Sequence, residues 1–334
     1  MAHKIIDLHC DSVCSIMEGK DIRGAVKDVH VDLPRLRDGN VALQVFAAYV
    51  SPETDKAFSR ACERLDAIDA FAASDERLTP VETAAELREV LAGQKTGVMA
   101  AVENGLAIEN SLEKLEKLRR RKVRILTLVH SKHLPWIASC TGLGEDRGLS
   151  DFGLQVIDAM NDLGIIPDVS HASESAFWGV INRMKNRPKK PVIASHSCAY
   201  SLCAAARNLK DDQLKALADS GGLVGVNFFS AFLYEPFRLV FEKEGKNGNE
   251  NPVISVKAPK SIIADHIDYM VKVAGEDCVA IGSDFDGVSI LPEGVTGSDF
   301  FPVLEAELRS RGYSEKRIEK IFNANFVRVL EEWD

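Results

Sequence analysis

Eight short apolar, β-branched runs recur along the chain, at 4–8, 41–50, 97–102, 123–129, 165–169, 191–195, 223–228 and 279–283. Helix-length charged stretches such as 111–122, 154–163 and 211–219 lie between them. A strand that is apolar at successive positions is buried on both faces, and strands alternating with helices build right-handed βαβ units on a parallel sheet. Eight such units in 334 residues predict a closed (β/α)8 barrel of the TIM type rather than an open sheet. No Gly/Ser linker, low-complexity tract or internal repeat divides the chain, so positions 1–334 are read as one barrel domain. The first two gaps between strands are irregular. The stretch 232–260, with its polar run at 242–250, exceeds a simple βα loop and is a candidate lid, dimer contact or solvated insertion.

Composition narrows what such a barrel can do. Apolar residues make up 46% and charged residues 27%, the balance of a soluble globular protein, and the net charge is -9. An acidic chain lacks the concentrated basic face that nucleic acid or an anionic membrane surface requires, so neither partner is expected. The one dense basic run, Arg119-Arg120-Arg121-Lys122, ends a helix-like stretch, where positive charge complements the helix dipole. No segment reaches ~18 uninterrupted apolar residues and the first residues form no apolar leader core, so a cytoplasmic protein is expected. Seven cysteines with no C-x-x-C pair fit free thiols in a reducing compartment.

The informative feature is where metal-ligating residue types fall relative to the strands. Asp7-Leu8-His9-Cys10-Asp11 closes the first run and Glu103 follows the third. His130, His171 and His196 end the fourth, fifth and sixth, and Asp284 ends the eighth. The C-terminal ends of barrel strands share one mouth, so residues far apart in sequence converge there. A single strand-end histidine is usually a hydrogen-bonded structural group and a lone aspartate a helix cap. Four of the eight histidines in matching places, with carboxylates in the others, make those separate readings a poor account of the set. His3, His30, His133 and His266 fall outside it and are read as structural. Cys10 is read as packing, because residues 9 and 11 of a strand share a face that residue 10 does not.

Histidine with carboxylate suits zinc or a similar divalent ion, and a mixed N/O site with an open position is catalytic in type. Two ions ~3.5 to 4 Å apart need a bridging ligand, which a glutamate can provide with one oxygen on each. The expected arrangement places His9, Asp11 and Glu103 on one ion and Glu103, His171 and His196 on the other, with a bridging hydroxide. Asp284 would move the proton, and His130, outside the metals, would hydrogen-bond the oxyanion formed when a carbonyl is attacked.

The chain resembles the renal (membrane) dipeptidase family of the amidohydrolase superfamily over nearly its whole length. The carrying segments are Ile6 through Asp11, Val102-Glu103-Asn104-Gly105, Leu126 through Ser131 with Pro135-Trp136, and Gly148 through Gly153. They continue with Asp168 through His171, Ser195-His196-Ser197 on to Arg207-Asn208, Val226-Asn227-Phe228, and Gly282 through Gly287. The resemblance implies a homodimeric binuclear zinc barrel that hydrolyses dipeptides, often with a D-residue at the C-terminal position. It implies zinc ligands at His9, Asp11, Glu103, His171 and His196, proton transfer by Asp284 and carbonyl polarisation by His130. It also makes Arg207 the clamp for the substrate carboxylate, a role suited to a planar guanidinium.

The sequence departs from the family at several points. Lys132-His133-Leu134 stands where a Cys-Asn-Thr run is common, and Asn104 and Leu106 where animal members often carry Gly and His. Phe232 aligns with a tyrosine, and the animal enzymes' secretory signal and lipid-anchor tail have no counterpart. Relatives running other hydrolyses on the same frame, such as deamination or opening of cyclic amides and lactones, often bridge their metals with a carboxylated lysine on the fourth strand. His130 and Glu103 favour the dipeptidase type instead. A non-catalytic barrel would need a broken ligand set, and none of these ligands is missing.

Overall fold

The computed structural model describes residues 2–185, 187–188, 191–246 and 255–334. One parallel sheet contains β1 (Ile5–Cys10), β2 (Val41–Tyr49), β3 (Leu78–Pro80), β4 (Thr96–Glu103) and β5 (Ile125–Thr127). It continues with β6 (Ile166–Asp168), β7 (Ile193–Ser197), β8 (Leu223–Val226) and β9 (Val279–Ile281). The strand order is β2-β1-β9-β8-β7-β6-β5-β4-β3, and β2 also pairs with β4. That pairing closes an eight-stranded barrel and leaves β3 outside it, hydrogen-bonded to β4 alone. All eight expected runs supply barrel strands. The β2–β4 register runs from Leu43 opposite Gly97 to Tyr49 opposite Glu103, which brings those last two side chains level at the mouth.

The irregular second gap has a structural cause. It holds two helices, Ala57–Ala73 and Ala84–Ala92, with β3 between them. The second helix starts on a capping box: Thr83 accepts the Glu86 amide while the Glu86 carboxylate accepts the Thr83 amide. The basic run falls where expected, with Arg119 and Arg120 closing the helix Leu112–Arg120 and paired to Glu82 and Glu116. Beyond it, the buried Arg124 ties the chain end to the barrel through Asp334 (2.9 Å) and the Trp333 carbonyl (3.0 Å).

Packing inside the barrel is tight enough to dictate residue type. A Cβ on Gly282 would stand 1.8 Å from the Ser195 carbonyl oxygen, and one on Gly225 2.1 Å from the same atom. Only glycine lets β7, β8 and β9 approach this closely.

The histidines set aside in the sequence have structural roles. His266, fully buried in the helix Ile262–Ala274, takes the Ala199 amide on Nδ1 (3.1 Å) and faces the Leu233 carbonyl with Nε2 (2.9 Å). His3 pairs with Glu305, His30 with Asp286, and the His133 Nδ1 accepts the Ser139 amide. Cys10 is fully buried in the core, as expected from its strand position.

Part of the 232–260 stretch, 247–254, lies outside the described residues. What precedes it folds as the helices Ser230–Leu233 and Glu235–Lys246. Phe229, Ala231 and Phe237 make a small second core there, packed against Val288 and Ile290. This segment is thus part of the wall of the barrel mouth. Among the described residues, no helix is long and apolar enough to cross a membrane.

Candidate metal centre

The barrel brings every expected site residue to its C-terminal mouth. His9 lies within β1, Glu103 is the last residue of β4 and His196 lies within β7. Asp11 follows β1 directly, whereas His130, His171 and Asp284 stand beyond the ladder ends at Thr127, Asp168 and Ile281. β5, β6 and β9 are therefore shorter than the apolar runs that contain them, and these three side chains project from the turns that follow. His171 (φ 68°) and Asp284 (φ 63°) adopt the left-handed conformation, which costs a non-glycine residue on the order of 1 kcal/mol and concentrates at functional sites.

Glu103 is the centre of the cluster. Its Oε2 lies 3.6 Å from His9 Nε2, and its Oε1 lies 3.1 Å from His171 Nε2 and 3.6 Å from His196 Nε2. His9 Nε2 is also 3.4 Å from Asp11 Oδ2 and 3.8 Å from Asp284 Oδ1. The Nε2 atoms of His171 and His196 stand 3.0 Å apart. His130 reaches Glu103 Oε1 at 3.9 Å, its ring against those of Tyr49 and His171.

Among the described residues at the mouth, three ligand groupings fall within 4.8 Å: His9 with Glu103 and His196, Glu103 with His130 and His171, and His9 with Asp11 and Asp284. The split of ligands between two ions read from the sequence is therefore one of several that this cluster accommodates. The residues fit divalent cations on chemical grounds. Among the described residues His9 Nε2 is buried with no hydrogen-bond partner, and it faces carboxylate oxygens and a second imidazole. A buried cluster of imidazole nitrogens and carboxylates with an orphaned ring nitrogen is a ligand set suited to divalent metal ions.

The charges are strongly coupled. Burial disfavours the charged form of His9, but Glu103 and Asp11 outweigh it and hold the ring well above the usual histidine range. Burial would raise Glu103, yet His9 and His171 pull its carboxyl well below the ordinary value. His196 and His171 are held well below the histidine range, by burial first and then by neighbouring cations. Burial pushes Asp284 up to about 7, assisted by the like charges of Asp11 and Glu103 against the opposing pull of His9. His130 is also depressed, mainly by burial and partly by Arg207.

Several groups that sequence reasoning left without a role now have contacts. Asn227 donates to Asp284 Oδ2 (2.7 Å) and accepts the Phe229 amide (2.7 Å), so it holds the aspartate in place. Asp286 accepts the Ser12 hydroxyl (2.5 Å) and the His30 amide (2.6 Å), fastening the turn after β9 to the one after β1. A Cβ on Gly287 would come 2.1 Å from Asp11 Oδ2 and 2.5 Å from Asp284 Oδ1, so only glycine leaves both carboxylates room. A cavity of about 460 Å³ opens over the cluster, walled by Tyr49, Phe229, Phe232 and Val288.

Arg207 is buried. It donates to the His196 carbonyl (2.9 Å) and Ser197 Oγ (3.2 Å), and its guanidinium lies 5.5 Å from the centre of the Phe232 ring. Its Nε has no partner among the described residues. A second cavity of about 290 Å³ is lined by Arg207 and by His171, which borders both spaces.

Fold and site together define a (β/α)8 barrel of the metallohydrolase type, with its ligand cluster gathered on a strand-end glutamate. The chain belongs to the membrane dipeptidase family (peptidase family M19), whose sequence pattern matches residues 1–334. It is 32% identical over 307 residues to Dipeptidase 3 of Macaca fascicularis, covering 90% of this chain and 58% of that protein. It therefore spans little more than half the length of that relative. An uncharacterized dipeptidase of Schizosaccharomyces pombe is 30% identical over 320 residues, covering 91% of this chain and 72% of that protein. Among solved structures, a metallopeptidase from Rhodobacter sphaeroides, liganded with a phosphinate mimic of L-Ala-D-Ala, superposes with a TM-score of 0.85. The two share 26% identity, with 100% of each chain covered.

Proposed function

We propose that this chain is a binuclear, metal-dependent dipeptidase that cleaves dipeptides with a free C-terminal carboxylate, L-Xaa-D-Xaa among them. The observation that carries this reading is the division of Glu103: Oε2 faces His9, while Oε1 faces His171 and His196. A carboxylate whose two oxygens serve separate imidazole groups has the geometry of a bridge between two cations. His9, Asp11, Glu103, His171 and His196 would hold the ions, zinc being the metal this donor set suits. When bound, they supply Lewis acidity toward the scissile carbonyl and a water nucleophile active at neutral pH.

The remaining steps belong to the side chains. Asp284, at about 7, can take a proton from the nucleophile and return it to the leaving nitrogen near neutrality. Asn227 occupies Oδ2 and leaves Oδ1 on the side of His9, facing the cluster. His130, neutral at that pH, donates a hydrogen bond to the carbonyl oxygen as it gains charge. Arg207, pre-positioned by two hydrogen bonds and the Phe232 ring, receives the terminal carboxylate. The ligand of the Rhodobacter sphaeroides relative, a mimic of L-Ala-D-Ala, supports acceptance of a D-residue at that end. A homodimer and a cytoplasmic location complete the proposal; the dimer rests on the family resemblance. The location draws support from the seven unpaired cysteines.

The test compares dipeptides with their C-terminal carboxamides, in the parent and in R207A. We expect the parent to prefer the free acid, and R207A to lose that preference mainly through a raised KM. Equal losses on acid and amide would contradict the clamp, and no hydrolysis of any zinc-supplemented dipeptide would contradict the activity.

A further inference from the structure

We propose that Asp168 and Ser195 lock His196 in the tautomer with its proton on Nδ1, so that the bare Nε2 faces the metal centre. The inference rests on the metal-centre reading above and follows from counting hydrogens. Asp168, at the end of β6, is fully buried. Its Oδ1 accepts the amides of Ser170 and Ser195, both at 2.9 Å. Its Oδ2 accepts the hydroxyls of Thr127 (2.5 Å) and Ser195 (2.6 Å). Four donors fill the acceptor sites of an ionised carboxylate, which has no proton of its own to give.

The single hydroxyl hydrogen of Ser195 is thereby committed to Asp168. What Ser195 Oγ presents to His196 Nδ1, 2.7 Å away, is a lone pair. A contact that short needs a hydrogen between the two atoms, so the ring nitrogen carries it. The other ring nitrogen is then left as an acceptor, 3.0 Å from His171 Nε2 and 3.6 Å from Glu103 Oε1. The opposite tautomer would aim an N–H into the cluster and remove His196 as a ligand. The ring is also held by its backbone, since the His196 amide donates to Ser170 Oγ (3.1 Å). Asp168 and Ser195 are positioning residues: neither reaches the substrate cavity, and both act through the imidazole.

A similar construction elsewhere shows what is specific to this one. Asp7 on β1, also fully buried, accepts the amide (2.8 Å) and hydroxyl (2.6 Å) of Ser283, the residue before Asp284. There the serine fixes a turn and meets no imidazole. Of these two arrangements, the one at Asp168 delivers its effect to a ring nitrogen.

The experiment has two arms. Nitrogen-15 NMR of the histidine rings in the full, chelator-treated chain, with His196 assigned by its loss in H196Q, reads the tautomer directly. The expected result is Nδ1–H for the parent, and Nε2–H would overturn the proposal whatever the variants do. This arm needs no variant at Ser195 to fold. In the second arm, Zn2+ affinity is measured by chelator competition. S195A should bind about 10- to 100-fold more weakly, the cost typical of removing an outer hydrogen-bond partner of a metal-ligating histidine. T127V, which strips a hydroxyl from the same aspartate but touches no imidazole, should bind like the parent. Equal weakening in both variants would mean that Asp168 matters only as a packing element. A parent chain that shows the Nδ1–H tautomer but binds no Zn2+ would instead overturn the metal-centre reading on which the proposal rests.

Discussion

At the scale of the residue, burial decides most of the chemistry. Asp284 combines a pKa near 7 with a single strong partner, Asn227. Replacing it as D284N keeps the shape and a hydrogen-bond acceptor for Asn227 but removes the carboxylate that can take up and release a proton. We expect metal content to persist while kcat falls by ~100-fold or more, the usual contribution of general acid/base catalysis. A change confined to KM would assign Asp284 another role. His266 shows the same force acting on stability. Burial, and a ring whose Nδ1 already accepts an amide, hold its pKa down to about 4 against 6.5 for a free histidine. Between those values the unfolded chain binds a proton that the folded chain refuses, so stability falls as pH drops through that window and is unaffected above it. The full effect is about 3 kcal/mol by linkage. H266Q, which can offer one acceptor and one donor in the same places, should lose this slope. Denaturant unfolding at pH 7 and pH 5 checks it; parallel changes in parent and variant would contradict the assignment.

At the scale of the element, the mouth is assembled by turns as much as by strands. The turn after β9 carries Asp284, Asp286 and Gly287, and it is fastened to β1 through Ser12 and through the bridge between Cys10 and Phe285. In G287A the new methyl meets Asp11 Oδ2, so one carboxylate must move. We expect zinc affinity to drop by about 10-fold or more with little change in far-UV circular dichroism, a perturbation of ligand orientation rather than of fold. Unchanged affinity would show that the turn yields at no cost. Elements were legible in the sequence where they bury a repeated face. The eight barrel strands stood out because each is apolar on both sides. β3 did not, being three residues long, ending in Pro80 and joined to one neighbour. The helix Ala57–Ala73 escaped for a related reason: it shares its gap with a second helix and a strand, so no simple strand-helix-strand rhythm marks it.

At the scale of the whole molecule, the barrel was legible in the sequence, and a barrel places all C-terminal strand ends on one rim. Spacing alone could therefore name His9, Glu103, His171, His196 and Asp284 as neighbours. It could not say that Glu103 would sit centrally, nor that Arg207 would be buried beneath Phe232, since both depend on side-chain packing across strands. Nor could it supply the outer layer of Asp168, Ser195 and Asn227, whose polar side chains carry no signal until their partners are known. The central claim is that this rim is a two-metal dipeptidase site divided by Glu103. The most direct test is to titrate chelator-treated protein with Zn2+ while following hydrolysis of an L-Xaa-D-Xaa dipeptide and bound metal together. Activity should rise with zinc and saturate at about two ions per chain. Full activity in the metal-free protein, or saturation with zinc bound and no dipeptide cleaved, would contradict it.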